Sequence, residues 1–251
     1  MGNVLELIRF SAGYGKNDVL KEMDLTLYAG ETAALVGENG CGKTTLLRCC
    51  AGLMKGRGTY LRMGEKADLS ARANARFAVY LAQQSRTELN LNVLDFMLLG
   101  LYGRKERLTE KAVCALASFG CGDLIEKDIM NLSGGQKQLV RLAALTLREG
   151  RILLLDEPDG ALDIGNRMKV LSHIRSRVKR TGEAVLMSCH DVNAALACAD
   201  RLIFLKDGKI AADVRTDGAD AETLQSAFGL VFPGTEIIMH DGNYILTGGK
   251  P

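Results

Sequence analysis

Proline is scarce, with three in 251 residues, and only Pro158 falls inside a recognisable motif. No Pro-, Ser- or Gly-rich stretch, internal repeat or low-complexity tract separates one part of the chain from another. A single domain over 1–251 is the expectation. No run reaches 18 consecutive apolar residues, which excludes a membrane-spanning helix. The start, "MGNVLELIRF", lacks a basic stretch leading into an apolar one, and Glu6 stands where a myristoylation signal needs Ser or Thr, so neither a secretory leader nor a lipid anchor is expected. Neither sign of charge dominates: 32 basic and 30 acidic residues leave +2 and a pI near 8.1. With no basic tail or stripe, nothing points to nucleic acid. Seven cysteines occur, yet none forms a C-x-x-C pair, which argues against a zinc clasp. An odd number including the adjacent Cys49 and Cys50 fits small buried hydrophobes in a reducing cytosol. A soluble, cytoplasmic chain follows.

What is present is an ordinary globular balance, 47% hydrophobic and 25% charged. Residues 3–36 run as short alternating segments, "VLELIRF", "VLKEMDLTLY" and "TAALVG", which predict an antiparallel sheet feeding one buried strand. A helix is expected from Lys43 to about Leu53, and strands at "RGTYLRM" and "FAVYLAQQ". Residues 85–147 are helix-rich with no strong strand, which reads as a helical insertion. Strand and helix then alternate: "RILLLDE", a helix from about Asp163 to Arg180, "AVLMSCH", another helix and "RLIFLKDGKIAADV". That order implies a mainly parallel sheet covered on both faces. Asp207-Gly208 and Asp241-Gly242 predict tight hairpins, the second within a short β-ended tail over 222–251.

Gly37, Gly42, Lys43 and Thr44 fit G-x-x-x-x-G-K-[ST], a phosphate-binding loop between a buried strand and a helix. The run Gly37, Glu38, Asn39, Gly40, Cys41, Gly42, Lys43, Thr44 and Thr45 is the expected cradle: glycines let N–H groups turn toward phosphate oxygens, Lys43 reaches the terminal phosphates and Thr44 can ligate Mg²⁺. A nucleoside triphosphate is the ligand this chemistry serves. In "RILLLDEP", Asp156 falls at the carboxyl end of a buried strand, where it can serve Mg²⁺, and Glu157 can accept a proton from an attacking water. In "NLSGGQKQLVRL", Ser133 and Gln136 form a capping box that opens a helix. A cap alone would not call for both Gly134 and Gly135, since glycine in a first turn destabilises a helix. A second anion-binding helix start is expected there.

"LSGGQ" at 132–136, together with the phosphate loop and "LLLDEP", resembles the nucleotide-binding subunit of ATP-binding cassette (ABC) transporters, over Tyr14 to at least Gly208. The resemblance implies a P-loop ATPase of the α/β class: a mainly parallel core sheet, an N-terminal antiparallel β subdomain, and the 85–147 insertion as helical signature subdomain. It implies ATP and Mg²⁺, and a head-to-tail homodimer in which Ser133, Gly134, Gly135 and Gln136 meet the ATP held by the other copy. Tyr14 matches the aromatic that stacks on adenine, and Gln83 the glutamine that senses Mg²⁺ and the attacking water, with Gln84 the alternative register. Asp163 matches the aspartate that communicates across the dimer, and His190 the switch histidine at the γ-phosphate. His173 and His240 match nothing.

"LDIGNRMKVL", "HDVNAALACADRLIFLKDGKI" and "LSARANARFAVYLAQQ" are similar to importers of iron-siderophores, haem and vitamin B12. The implied partners are two copies of an integral membrane permease and, indirectly, a substrate-binding protein, with the chain peripheral on the inner face of the plasma membrane. In the family the region of "NVLDFMLLGLYGRKER" forms a groove for a cytoplasmic helix of the permease. Most of Val93, Phe96 and Leu99 reads as core, with Tyr102 and the run Arg104 to Arg107 as candidate rim. Importers of another substrate, exporters, and soluble ABC ATPases acting on DNA or ribosomes are the alternatives. Against the last stand a single cassette and a short insertion. The chain departs from the family at Asp159 and Gly160, usually threonine and serine, and at Ala144, commonly arginine. Cys41, beside a helix N-terminus, is expected to have a lowered thiol pKa.

Overall fold

In the computed structural model, which describes residues 2–83, 90–99, 101, 105–189, 191–241 and 243–248, the chain divides into two compact units. The first comprises Met1–Tyr80, Gly150–Asp156 and Arg175–Pro251, and the second Leu81–Glu149 and Glu157–Ile174.

In the first unit β1 (Asn3–Tyr14) and β2 (Asn17–Tyr28) pair antiparallel, as their alternation predicts. The other edge of β1 takes β4 (Arg57–Arg62), which continues into β5 (Glu65–Lys66). Leu5, Leu7, Leu25 and Leu27 are buried, while Glu6 and Thr26 between them stay partly exposed, so the sheet has one core face. A second sheet, among the described residues, has the order β10 (Lys209–Arg215), β9 (Arg201–Lys206), β3 (Thr32–Val36), β8 (Ala184–Ser188), β7 (Ile152–Asp156), β6 (Ala78–Leu81). β3 pairs parallel with β8 and β9, and β7 parallel with β8. Every residue of β3, β7 and β8 is buried. That is why these segments read as unbroken apolar runs rather than alternating ones.

Helix α1 (Lys43–Cys50) follows the loop after β3 and drives Leu46, Leu47, Cys49 and Cys50 into the core shared with Leu35, Leu154 and Leu186. It stops sooner than the pattern suggests, because the chain turns at Gly52, whose φ of 72° lies in the left-handed region. Both Asp-Gly hairpins form. Lys206 pairs with Lys209 across Asp207 (φ 49°) and Gly208 (φ 79°), a two-residue turn with both central residues left-handed. In the second, β11 (Thr235–His240) pairs with β12 (Asn243–Gly248).

Two helices come in addition to those read from the sequence. α2 (Ala71–Phe77) is capped by Ser70, and its buried Asn74 bonds the carbonyls of Gly52 and Leu69. α8 (Ala221–Val231) lies within the stretch read as a β-ended tail, capped by Asp220 and burying Leu224, Ala227, Phe228 and Val231. Its i, i+3, i+4, i+7 spacing and cap carry the signal that the tail reading omits. α7 (Val192–Cys198) packs near β12.

The second unit is built on α3 (Val93–Leu98), α4 (Lys105–Ser118) and α5 (Gly134–Thr146), which pack on one another around Val93, Met97, Leu116 and Val140. α6 (Ile164–Thr181) begins in this unit and ends in the first. Among the described residues no helix is long and apolar enough to cross a membrane.

Candidate functional site

In the first unit the loop after β3 is shaped by two glycines with different reasons. A Cβ on Gly37 would lie 2.5 Å from the Leu205 carbonyl oxygen and 2.7 Å from Cys41 Sγ, so no side chain fits. Gly42 has φ 114° and caps α1, a conformation that L residues rarely adopt. Lys43 Nζ donates to the carbonyls of Gly37 (2.6 Å) and Glu38 (3.0 Å), tying the loop across its mouth. Gly37 to Thr45 therefore form one continuous loop and helix start, with Glu38, Asn39 and Gly40 exposed.

Asp156, at the carboxyl end of β7, is 1% exposed. Its Oδ1 accepts from Thr44 Oγ1 at 3.1 Å and Ser188 Oγ at 2.8 Å, while its Oδ2 is buried with no hydrogen-bond partner among the described residues. Ser188 is a residue that motif reading misses. The signal was register, since Asp156 and Ser188 are paired positions on adjacent parallel strands. An unpartnered buried carboxylate oxygen beside a threonine hydroxyl is a hard-oxygen set that suits Mg²⁺ bound together with phosphate. Tyr80 lies in the same field: burial raises its phenol pKa, and the negative charge of Asp156 raises it further. Tyr14, 54% exposed at the end of β1, accepts from Arg48 Nη1 at 3.2 Å, which steadies a ring otherwise open to solvent.

The expectation for Cys41 is overturned. Its thiol pKa is raised, because burial outweighs the opposing effect of the Lys43 charge and of nearby backbone N–H groups. We expect Cys41 to alkylate slowly, more slowly still in Mg-ATP, with exposed Cys114 as internal reference. Labelling by iodoacetamide followed by peptide mass spectrometry checks this; a Cys41 rate matching that of Cys114, or unaltered by Mg-ATP, contradicts it.

In the second unit Gln83 Nε2 donates to Glu157 Oε2 at 2.7 Å, joining residues 74 apart in sequence. Glu157 has φ 49°, which is uncommon for a residue with a side chain and fixes where its carboxylate leaves the backbone. The capping box at α5 is complete: Gln136 N–H donates to Ser133 Oγ (3.2 Å) and Ser133 N–H to Gln136 Oε1 (3.0 Å). The two glycines differ. A Cβ on Gly135 would meet the Ala161 carbonyl oxygen at 3.1 Å, whereas one on Gly134 would have nothing closer than 3.9 Å. Packing within the chain accounts for Gly135 and leaves Gly134 to another cause. Asp163 is exposed and accepts the N–H of Asn166 at 2.9 Å at the start of α6, and this bond holds its carboxyl below the usual range. Asp159 is 2% exposed and lies 3.7 Å from Arg167, an inward-facing ion pair.

The structure thus brings Thr44 to Asp156 and Gln83 to Glu157. His190, Gln84, Tyr102 and Arg104 lie outside the described residues. Of the groove candidates, Val93 is buried, Phe96 partly buried and Leu99 41% exposed. His173 stacks on Phe119 at 4.7 Å, and His240 lies 3.5 Å from Asp241.

Comparison with known proteins agrees with this arrangement. The ABC transporter family profile matches residues 20–160. The aliphatic sulfonates import ATP-binding protein of Pectobacterium atrosepticum is 38% identical over 216 residues, 86% of this chain and 79% of the relative. Among solved structures, a cassette dimer in a post-hydrolysis state with ADP and phosphate superposes with a TM-score of 0.77 at 24% identity, covering 86% of this chain and 100% of that one. An inward-facing transporter assigned to the metal-chelate type superposes at 0.75 and 23% identity, covering 97% and 96%. The fold is that of these cassettes, and the match in sequence goes beyond fold: the chain belongs to the ABC transporter family, as an ATP-binding, ATP-hydrolysing subunit.

Proposed function

We propose that this chain is the energy-coupling subunit of a membrane importer, working as a head-to-tail homodimer beneath two permease subunits that receive cargo from a substrate-binding protein. Tyr14 stacks on adenine, the 37–45 loop and Lys43 hold the phosphates, and Glu157 takes the proton of the attacking water while Gln83 orients both. Thr44, Asp156 and Gln83 would hold Mg²⁺, which supplies charge neutralisation at the β and γ phosphates. Ser133, Gly134, Gly135 and Gln136 serve the nucleotide of the second copy, Asp163 passes its state across the interface, and His190 contacts the γ-phosphate. The observation that carries the reading is Asp156, whose unpartnered oxygen lies beside Thr44 at the mouth of a phosphate loop. The open space at Gly134 supports an approach to the signature helix from outside the chain.

The named relative imports aliphatic sulfonates, which favours an organic sulfonate as cargo. An iron-siderophore, haem or cobalamin-type chelate is the second reading, favoured by the phrases around Asp163 and after His190. To test both, tagged Glu157→Gln protein is trapped with Mg-ATP in membranes of the producing cells. The wild-type complex is then purified and its ATPase measured with the binding protein loaded by an alkyl sulfonate or by a ferric siderophore. A polytopic permease with stimulation by one ligand class supports the importer and fixes its cargo. Recovery of ribosomes or DNA without a permease overturns the transport reading.

A further inference from the structure

The hairpin β11–β12 is held by two side-chain amides that act as neighbouring strands. Its turn is flanked by the pair His240 and Asn243, so by antiparallel alternation the backbone groups of Thr235, Ile237 and Leu246 face outward, to the two edges. On the β12 edge, Asn193 of α7 donates from Nδ2 to the Leu246 carbonyl at 3.2 Å and accepts the Leu246 N–H on Oδ1 at 2.7 Å. On the β11 edge, Gln225 of α8 donates from Nε2 to the Thr235 carbonyl at 2.7 Å and accepts the Ile237 N–H on Oε1 at 2.6 Å. Each amide satisfies one donor and one acceptor that an open edge would leave to water or to another strand.

The two clamps differ in what they hold. Gln225 fixes the hairpin to α8. Asn193 lies in the first turn of α7, where Asp191 Oδ1 accepts the N–H of Asn193 (3.0 Å) and of Ala194 (3.2 Å). α7 spans only Val192–Cys198, too short to be stable from its own hydrogen bonds, so its order depends on outside contacts. On the other side of position 190, the Cys189 N–H bonds the Leu35 carbonyl at 3.4 Å, continuing the β8 to β3 ladder. In sequence, position 190 follows directly on Cys189, which the sheet holds, and stands three residues before Asn193, which the hairpin holds.

We propose that the C-terminal hairpin is a brace for the switch position, and that Asn193 is a positioning residue acting through the start of α7 on His190. This rests on the reading of His190 as the γ-phosphate contact. The brace leaves the phosphate loop alone, so its loss lowers turnover without weakening ATP binding.

The test uses the full chain with Asn193→Ala, Asn193→Asp, removal of residues 235–251, the Asn193→Ala change in that truncated chain, and His190→Ala. ATP hydrolysis is resolved into kcat and KM, and hydrogen exchange is followed in peptides covering 189–197. Asn193→Ala is expected to lower kcat about tenfold with KM for ATP held within about twofold, and to speed exchange at the start of α7. Truncation gives at least the same loss, and adding Asn193→Ala to it changes nothing further, because the truncation has already removed the Leu246 backbone that Asn193 holds. Asn193→Asp, which keeps the acceptor and loses the donor, falls between. Should truncation unfold the chain, the point variants carry the test. Unchanged kcat in Asn193→Ala alongside loss of turnover in His190→Ala overturns the brace and leaves the functional reading standing. Unchanged turnover in His190→Ala overturns the His190 role and the brace with it.

Discussion

Glu157→Gln is expected to slow ATP turnover about a thousandfold while ATP still binds, and to collect the chain as a closed dimer in Mg-ATP. The Gln83 amide reaches Glu157 through one hydrogen bond at 2.7 Å, and a glutamine at 157 still offers a carbonyl oxygen to accept it. The backbone at 157 already has φ 49°, a constraint that an isosteric side chain does not change. The exchange removes proton-accepting capacity and little else. Thr44, Lys43 and Asp156 keep their hydrogen bonds, since none of those bonds involves Glu157. Turnover by phosphate release, nucleotide binding by a fluorescent ATP analogue, and size-exclusion chromatography with Mg-ATP separate the effects. Turnover within tenfold of the parent moves the base elsewhere. Loss of binding shows instead that Glu157 supports the fold of the loop.

The features legible in the sequence are those written within a few residues. The phosphate loop is one stretch, and its glycines have reasons the structure makes explicit: a backbone approach at Gly37 and a left-handed cap at Gly42. The capping box of Ser133 and Gln136 spans four residues and forms with both its bonds. The parallel strands were legible because burial on both faces forces apolar runs. What escaped was set by long-range pairing. Ser188 meets Asp156 through strand register, and Asn193 meets Leu246 across 53 residues. α2 escaped for another reason. Among its buried residues are Asn74 and Phe77, so polar contacts rather than an apolar stripe hold it. Cys41 shows where a local rule loses: the helix start and Lys43 lower its pKa, but the burial that the fold imposes raises it more.

Arg201→Ala is expected to destabilise the first unit by about 3–5 kcal/mol, because it leaves a buried carboxylate short of its cation. Arg201, on β9, reaches two other strands and the turn before β3. Its Nη1 donates to the Thr26 carbonyl of β2 at 2.8 Å and to Glu31 Oε2 at 3.2 Å, and its Nε and Nη2 form a two-pronged pair with Asp213 of β10. The guanidinium also lies 5.4 Å from the centroid of the Tyr28 ring. It thereby bolts the antiparallel sheet to the edge of the parallel one. The Glu31 side chain is 1% exposed, and after the change Arg215, itself 53% exposed, would be its one remaining ion-pair partner among the described residues, at 3.0 Å. A half-solvated partner cannot replace a buried one, so the cost approaches that of an uncompensated buried charge. At about 2–4 °C per kcal/mol for a chain of this length, the thermal midpoint falls by roughly 10 °C. Calorimetry with and without the companion change Glu31→Gln decides the cause. Recovery of part of the loss in Arg201→Ala with Glu31→Gln identifies the stranded carboxylate as the source, whereas an equal loss in both places it in the contacts to Thr26 and Asp213.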